Sequence, residues 1–272
     1  MAKEGIVYLA MGPAYAVLAG LSIKTLKKFS DIPVTVIVDD SVKPHSQSLG
    51  ADTITCISNV ASENRAVKSR IYELSPYENT LFIDCDTIIN GDVADCFRYL
   101  EYFDIAIKQK IKAFSRLGKG SLSLFNGKHI VAELPHWNSG VIAFKRNKKT
   151  KNMFQDWAQL QSELKYDFDQ PALAEAIIKS DVRVVSLEET WNFQNCRAVY
   201  GSKEKIIHYS SSLNNKIKRL LRETCRNNFP EFNDELEEFI ISKLKFRKQK
   251  DGLKKYYKRR IRWQLDDILF SK

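Results

Sequence analysis

Short apolar runs alternate along the chain with segments in which apolar residues recur every three to four positions. The apolar runs have the length and composition of buried β-strands, and the spacing between them is typical of helices. Strands are predicted at residues 5–10, 34–38, 53–57, 80–83, 139–144 and 183–186, and helices at 14–29, 66–74, 93–100, 148–162 and 169–179. Strands that alternate with helices are typical of βαβ units. We therefore predict an α/β fold with a mixed, mostly parallel sheet flanked by helices.

Basic residues are concentrated towards the C-terminal end. The 272 residues include 43 Lys and Arg against 33 Asp and Glu, which gives a formal net charge of +10. Residues 209–272 hold 17 basic and 9 acidic side chains, so +8 of that charge lies there. We predict an α/β domain over residues 1–212 and a basic helical extension over residues 213–272.

The uncharged stretch at residues 6–23 is long enough to raise the question of a membrane-spanning helix. Gly12-Pro13 interrupts it, so a strand, a tight turn and a helix are predicted instead. The cysteines are odd in number, far apart and form no Cys-x-x-Cys pair. This pattern indicates reduced thiols in a cytoplasmic chain rather than zinc ligands.

Two carboxylates follow the strand predicted at residues 80–83. In extended backbone Asp84 and Asp86 point to one side, whereas Cys85 points to the other. Open α/β sheets bind ligands at the carboxyl ends of their strands, and carboxylate oxygens suit Mg²⁺ or Mn²⁺. The pair therefore indicates a divalent-metal site. The spacing alone leaves open that these are solvated turn residues or helix caps.

Further motifs accompany this pair in a fixed order. They are Ser69 to Ile89 around Asp84-Cys85-Asp86, His136 to Phe144 with Asn138-Ser139-Gly140, Phe168 to Leu173 with Asp169-Gln170, Thr190-Trp191-Asn192, and Ile206-Ile207-His208-Tyr209-Ser210. Together they resemble the GT-A glycosyltransferases, in particular glycosyltransferase family 8, over residues 5–210. The resemblance implies a GT-A fold and transfer of a sugar from a nucleotide-diphosphate donor, with UDP expected, to a glycan or lipid-linked acceptor.

The resemblance also implies a ligand set for the metal. Asp84, Asp86 and His208 would bind the ion, which would stabilise the charge that develops on the diphosphate leaving group. Mn²⁺ is expected over Mg²⁺, because an imidazole is the better ligand for Mn²⁺. Without its motif, His208 would be interpreted as a core or loop histidine.

Catalytic and donor-binding positions carry over from the same motifs. The catalytic set is Asp169, Gln170 and Asn138, although Asp169 also suits a helix N-cap. Tyr15 would stack on the base, with Asp39 or Asp40 near the base or ribose. The remaining donor-binding set is Lys68, Arg70, Asp84, Gly140, Trp191, Asn192 and Lys216. Arg70 occupies the family position, and structural ion pairing is the alternative for both Lys68 and Arg70.

One motif departs from the family pattern. The metal histidine is often followed there by Gly-x-x-Lys-Pro, in which the lysine contacts the diphosphate. Here the sequence from Ser210 to Lys216 lacks that glycine and proline, so the lysine role is expected to pass to Lys216. The departure weakens a strict family 8 assignment and the retaining stereochemistry that is expected with it.

The basic extension interleaves lysine and arginine with aromatic residues at 243–250 and 254–263. We predict an amphipathic helix that contacts an anionic membrane surface from the cytoplasm. A solvated helix ranks second and nucleic-acid binding third.

Rival functions make different demands on the sequence. A sugar nucleotidyltransferase needs a glycine-rich loop after its first strand, which residues 10–14 do not supply. A glycosidase needs two carboxylates about 5 to 9.5 Å apart on either side of the scissile bond. The non-enzymatic rival is a catalytically silent GT-A-like protein that binds membrane or nucleic acid through its extension, and it predicts that Asp86→Ala is tolerated.

Overall fold

The structure is a computed structural model that describes residues 2–58, 67–110, 135–164, 169–194 and 204–208. Its strands are β1 Ala2–Ala10, β2 Val34–Asp39, β3 Thr53–Ile57, β4 Tyr77–Ile83, β5 Thr87–Ile89, β6 Ile105–Lys110, β7 His136–Lys145, β8 Val184–Ser186 and β9 Ile206–His208. Its α-helices are α1 Pro13–Leu26, α2 Ile71–Leu74, α3 Tyr99–Tyr102, α4 Lys148–Leu164 and α5 Gln170–Lys179. Short 3₁₀ helices occupy Lys43–Leu49, Ala94–Arg98 and Glu189–Trp191.

The strands form one large sheet and one small one. The seven-stranded sheet has the order β3-β2-β1-β4-β7-β6-β8, and within it β7 runs antiparallel to both of its neighbours. The other pairings in this sheet are parallel. Strands β5 and β9 pair antiparallel in a separate sheet. The predicted α/β class with a mixed, mostly parallel sheet is confirmed.

Both faces of the large sheet are buried, because helices cover each of them. Along β1, Ile6 and Tyr8 belong to the apolar cluster that contains α1, whereas Val7 and Leu9 belong to the cluster that contains residues of α4 and α5. A strand that is buried on both faces needs apolar residues at every position rather than at alternate ones. This explains the uninterrupted apolar runs of β1 and β2.

Each predicted strand is present, although β1, β4 and β7 begin three residues earlier than predicted. Strands β2 and β3 match the predicted runs to within a residue, whereas β6 and β5 were not predicted as strands. The helix predicted at 93–100 is instead a 3₁₀ helix, Ala94–Arg98, followed by α3. At the start of the 3₁₀ helix, the Ala94 N–H donates a hydrogen bond to the Asp92 carboxylate at 2.9 Å. No helix in the described ranges is long and apolar enough to cross a membrane.

The antiparallel direction of β7 determines where the site lies. Asp84 directly follows the last residue of β4, and its N–H donates a hydrogen bond to the Gly140 carbonyl of β7 at 2.8 Å. Strand β6 ends at Lys110, which is paired with His136 at the start of β7. The end of β4, the start of β7 and the end of β6 therefore meet at one edge of the sheet. The predicted extension over residues 213–272 lies outside the described residues.

Candidate functional site

Three side chains converge beyond the end of β4. Asp84 and Asp86 lie in the turn between β4 and β5, and His208 ends β9, where its backbone pairs with Thr87 of β5. His208 Nε2 lies 3.2 Å from Asp86 Oδ1 and 3.9 Å from Asp84 Oδ2. One potential ligand atom from each residue lies within 4.8 Å of the others. The predicted metal ligands are therefore brought together in space.

This cluster fits a divalent cation. Neighbouring ligand atoms of an octahedral ion that is bound at about 2.1 Å are roughly 3 Å apart, which is close to the separation of His208 from Asp86. Burial by itself lowers the pKa of His208, but the adjacent Asp86 and Asp84 carboxylates outweigh it and raise that pKa above its ordinary value. The negative field that favours a proton there also favours a metal cation.

His208 is held in one orientation by its neighbours. Its Nδ1 lies 3.0 Å from Asn192 Oδ1, so Nδ1 carries the proton and Nε2 is available as a ligand. Gly140 packs against the same ring, since a Cβ there would lie 2.4 Å from His208 Cε1. Asn192 and Gly140, which were predicted to bind the donor, thus contact His208 directly.

Lys68 lies between two carboxylates. Its Nζ is 2.7 Å from Asp84 Oδ1 and 3.7 Å from Asp169 Oδ2, and its side chain is 7% exposed. Burial opposes the charge of Lys68, but Asp84 and Asp169 outweigh this and raise its pKa. Burial also raises the pKa of Asp84, and Lys68 acts against that shift. Lys68 therefore belongs to the site and neutralises part of its negative charge.

Arg70 does not reach this cluster. It is exposed at the start of α2, whereas Lys68 is buried two residues earlier. Lys68 is therefore the residue of this pair that contacts the carboxylates, and the assignment of Arg70 to the donor site stays a prediction. Residues that are two positions apart in a helical turn point to different sides. Only one of Lys68 and Arg70 can therefore face the carboxylates.

Asp169 and Gln170 line the other side of the site. Asp169 precedes α5, but its carboxylate does not cap that helix and instead accepts a hydrogen bond from Ser139 Oγ at 2.6 Å. The Gln170 side-chain oxygen accepts a hydrogen bond from the Lys110 ammonium. The structure thus brings both predicted catalytic residues to the edge where β6 and β7 meet.

Two buried amide side chains at the site each have an N–H group that is available to a ligand. Asn138 Oδ1 accepts from the Gly140 N–H at 2.8 Å, and Asn192 Oδ1 is engaged by His208. The Nδ2 groups of Asn138 and Asn192 are buried and have no hydrogen-bond acceptor within the part of the chain that the structure describes. Buried donors are rarely left unsatisfied, and oxygens of a bound sugar or phosphate would satisfy them.

Other predicted donor-binding residues have structural partners. Asp39 is 5% exposed and accepts hydrogen bonds from Ser41 Oγ and the Val42 N–H, which closes the turn after β2. Trp191 is 3% exposed and packs edge-on against Tyr99. Trp191 thus belongs to the apolar core, and its assignment as a donor contact stays a prediction.

Tyr15 and Lys216 complete the predicted donor set. Tyr15 is partly exposed in the first turn of α1, three residues after Gly12, whose φ is +85°. Lys216 lies outside the described residues. The proposed contact of Tyr15 with the base stays a prediction.

The sequence analysis missed three polar residues of the site, namely Ser139, Lys108 and Lys110. Lys108 is buried and donates to Glu189 Oε1 at 2.7 Å and to the Asn192 carbonyl at 2.8 Å. It thereby connects the segment that carries Asn192 to β6. Two lysines that directly follow the apolar run 105–107 were the available signal, because charged residues in a buried strand need partners.

Comparisons with solved structures identify the fold. No protein-family model and no curated protein sequence matches this chain. Apo mouse xyloside xylosyltransferase 1 superposes with a TM-score of 0.56 at 12% identity, over 78% of this chain and 99% of that one. The galactosyltransferase LgtC, solved with donor and acceptor sugar analogues, has a TM-score of 0.55 at 12% identity, over 80% of this chain and 95% of LgtC.

A third similar structure is the glycosyltransferase GlyE of Streptococcus pneumoniae TIGR4. Its TM-score is 0.54 at 18% identity, over 88% of this chain and 63% of GlyE. The three matched proteins are glycosyltransferases by name. The predicted GT-A fold is thus confirmed, and likeness at this identity extends to the fold alone.

Proposed function

We propose that the chain is a metal-dependent glycosyltransferase that moves a sugar from a UDP-linked donor to a glycan or lipid-linked acceptor. The observation that supports this proposal most directly is the Asp84, Asp86 and His208 cluster at the carboxyl end of β4. It lies in a fold that is shared with glycosyltransferases. Mn²⁺ is the proposed ion, with Mg²⁺ as the alternative, because the ligand set includes an imidazole.

The side chains of the site have separate tasks in this proposal. A bound divalent ion supplies a Lewis acid for the diphosphate leaving group. Asn192 holds His208 so that Nε2 faces Asp86, and Lys68 balances the charge of Asp84 and Asp169. The buried Nδ2 group of Asn138 donates to an oxygen of the donor. These residues thus bind and orient the donor before its anomeric bond breaks.

The proposed transfer retains the anomeric configuration. An inverting transfer needs a base, commonly a carboxylate, that takes the proton of the acceptor hydroxyl. At the described site, Asp84 contacts Lys68, Asp86 contacts His208, and Asp169 contacts Ser139 and Lys68. Gln170, which follows Asp169 and contacts Lys110, is a neutral amide. This arrangement favours a mechanism without a carboxylate base, and the anomeric configuration of the product, determined by NMR, tests it.

Nucleotide-induced thermal stabilisation tests the proposed function. UDP, GDP, CMP and ADP are each added with Mn²⁺, Mg²⁺ or EDTA to the parent chain and to Asp86→Ala. A ligand that binds only the folded state stabilises it by about 2.7 kcal/mol at a hundredfold excess over its dissociation constant. We expect UDP with Mn²⁺ to raise the melting temperature of the parent and not that of Asp86→Ala.

Asp31→Ala is the matched control, because it removes an exposed carboxylate outside the site. It should keep the full shift with UDP and Mn²⁺. If no nucleotide stabilises the parent with any metal, the donor-binding proposal is wrong. If Asp86→Ala is stabilised as strongly as the parent, the chain binds nucleotide without the cluster, which supports a catalytically silent protein.

A further inference from the structure

A chain of buried hydroxyl groups lies beneath the turn that carries Asp84 and Asp86. Tyr8 Oη of β1 is 3.0 Å from Ser22 Oγ of α1, and Ser22 Oγ is 2.7 Å from Thr87 Oγ1 of β5. Thr87 Oγ1 donates to the Asp84 carbonyl oxygen at 2.9 Å. Tyr8, Ser22 and Thr87 each have an exposed fraction of 0%. The chain thus connects the core of the sheet to the backbone of a metal ligand.

The protons of this chain have one consistent arrangement. A carbonyl oxygen only accepts, so the Thr87 hydroxyl uses its single proton on Asp84. Thr87 must then accept from Ser22, and Ser22 must accept from Tyr8. All three hydroxyls donate in the same direction, which strengthens each bond in turn. Burial raises the pKa of Tyr8, so its phenol keeps the proton that it donates.

Thr87 is connected to all three ligands of the cluster. Its hydroxyl binds the carbonyl of Asp84, its peptide bond joins it to Asp86, and its backbone is the register partner of His208. A change in the position of Thr87 therefore changes the relative positions of the two carboxylates and the imidazole. The Thr80 hydroxyl on β4, by contrast, is bonded to the Ser75 hydroxyl.

We infer that Thr87 is the positioning residue of the metal centre and that Ser22 and Tyr8 hold its hydroxyl in place. This inference rests on the proposed function, because it presupposes that the cluster binds a divalent ion. The Thr87 hydroxyl sets the backbone of the turn from Asp84 to Thr87, and the turn directs Asp84 and Asp86 towards His208 Nε2. Thr87 itself contributes no ligand atom.

Titration of the full-length chain with Mn²⁺, followed by electron paramagnetic resonance, tests the inference. Thr87→Val keeps the shape of the side chain and removes the hydroxyl. Residues that orient metal ligands typically change metal affinity by about 10- to 100-fold when they are replaced, and we expect a loss in this range. Thr87→Ser restores the hydroxyl and should restore most of the affinity.

Thr80→Val is the matched control. Thr80 is equally buried on β4, and its hydroxyl lies 2.6 Å from Ser75 Oγ. This variant should lose stability in a similar way and keep the Mn²⁺ affinity of the parent. A loss of affinity in both valine variants would indicate a general effect on the fold and would overturn the inference.

If Thr87→Val fails to fold, Ser22→Ala and Tyr8→Phe test the series of hydroxyl groups instead. Each removes a donor further from Asp84, so we expect graded losses of Mn²⁺ affinity, larger for Ser22→Ala. Unchanged affinity in folded Thr87→Val, or in both of these variants, overturns the inference and leaves the proposed function intact. A parent chain that binds no Mn²⁺ contradicts the metal-dependent function itself, and the inference fails with it.

Discussion

Lys68 shows how a single residue determines the charge balance of the candidate site. Its ammonium group contacts Asp84 and lies near Asp169, and all of these side chains are at least partly buried. Two carboxylates that share one buried cation leave one negative charge over, to which Asp86 adds another. A site with this surplus of negative charge binds a divalent cation more favourably than a site without net charge would. Lys68 therefore limits the negative charge of the site but does not cancel it.

Replacement of Lys68 by methionine should destabilise the fold strongly when no metal is bound. Removal of one partner from a buried ion pair typically costs about 3–5 kcal/mol, because the remaining charge is buried alone. We expect a loss of this size for Lys68→Met in urea unfolding with EDTA. Saturating Mn²⁺ should recover part of it, since a cation then faces Asp84 again.

Lys27→Met provides the control for this prediction. Lys27 lies 2.8 Å from Asp52, and the two side chains are 31% and 49% exposed. Surface ion pairs contribute at most about 1 kcal/mol, so Lys27→Met should be nearly neutral and insensitive to Mn²⁺. Equal losses in both variants would show that the carboxylates of the site do not depend on Lys68.

The sequence analysis identified the three clustered side chains better than the residues that hold them in place. Asp84, Asp86 and His208 stand in motifs, and a motif carries the chemistry in its residue types. Which of Lys68 and Arg70 contacts the carboxylates depended on which side chain points inwards, and the sequence left both open. The role of Asn192 depends on its contact with His208. Such side-chain directions arise from tertiary packing, which spacing along the chain does not encode.

At the scale of elements, Asp104 joins three strands on the far side of the sheet. Its carboxylate accepts hydrogen bonds from the Arg183 N–H at 2.8 Å and from Asn147 Nδ2 at 2.9 Å, and it lies 3.4 Å from Lys145 Nζ. Arg183 precedes β8, Lys145 ends β7 and Asn147 follows it. Asp104 itself precedes β6. The residue thus holds together strands β6, β7 and β8.

Asp104→Asn should destabilise the fold in a pH-dependent way. Burial alone raises the pKa of Asp104, but the donors from Arg183 and Asn147 and the charge of Lys145 outweigh it and lower that pKa. A carboxylate with a lowered pKa stabilises the fold fully above its unfolded pKa of about 3.9 and less as the pH falls through its folded pKa. We expect a deficit of about 1–3 kcal/mol at pH 7, because hydrogen bonds to a buried charge are lost.

Urea unfolding between pH 7 and pH 3 checks this expectation. The difference between parent and Asp104→Asn should narrow below about pH 4, where Asp104 becomes protonated in the unfolded chain. Asp31→Asn, at an exposed position, should match the parent at every pH. A deficit for Asp104→Asn that is constant down to pH 3 would show that shape, not charge, matters at this junction.

The elements that the sequence analysis missed are those that depend on distant partners. Strand β5 has three residues and pairs with β9, which lies more than a hundred residues later. Three residues are too few for a period to emerge, so pairing with a distant segment decides whether they form a strand. Strand β6 was missed because Lys108 and Lys110 interrupt its apolar pattern, and these residues are explained by the site rather than by the sheet.

At the scale of the whole molecule, charge divides the chain into two parts. Residues 1–208 hold 26 basic and 24 acidic side chains, a surplus of +2, against +8 for residues 209–272. The candidate site, by contrast, concentrates carboxylates around the end of β4. The surplus of positive charge in residues 209–272 favours an anionic partner in addition to the donor. We propose an anionic membrane surface, which a lipid-linked acceptor would also occupy.

Vesicle binding should depend on the basic segment and on salt. In the full-length chain, we would replace one set of basic residues with glutamine, namely Lys254, Lys255, Lys258 and Arg259. We expect the parent to sediment with vesicles that contain phosphatidylglycerol, and the variant to bind much less. Each basic residue near such a surface contributes about 1 kcal/mol, and raised salt should release the parent because the attraction is screened.

The control must remove the same charge elsewhere, since net charge alone changes attraction to any anionic surface. A second variant therefore replaces exposed lysines of α4 and α5 with glutamine, namely Lys148, Lys149, Lys151 and Lys179. If both variants bind vesicles equally, net charge rather than the basic segment drives binding. If the parent does not bind vesicles but binds RNA or DNA through residues 254–259, the membrane proposal is wrong. If it binds vesicles through them, the result supports the membrane proposal and favours a lipid-linked glycan over a free glycan as the acceptor to test first.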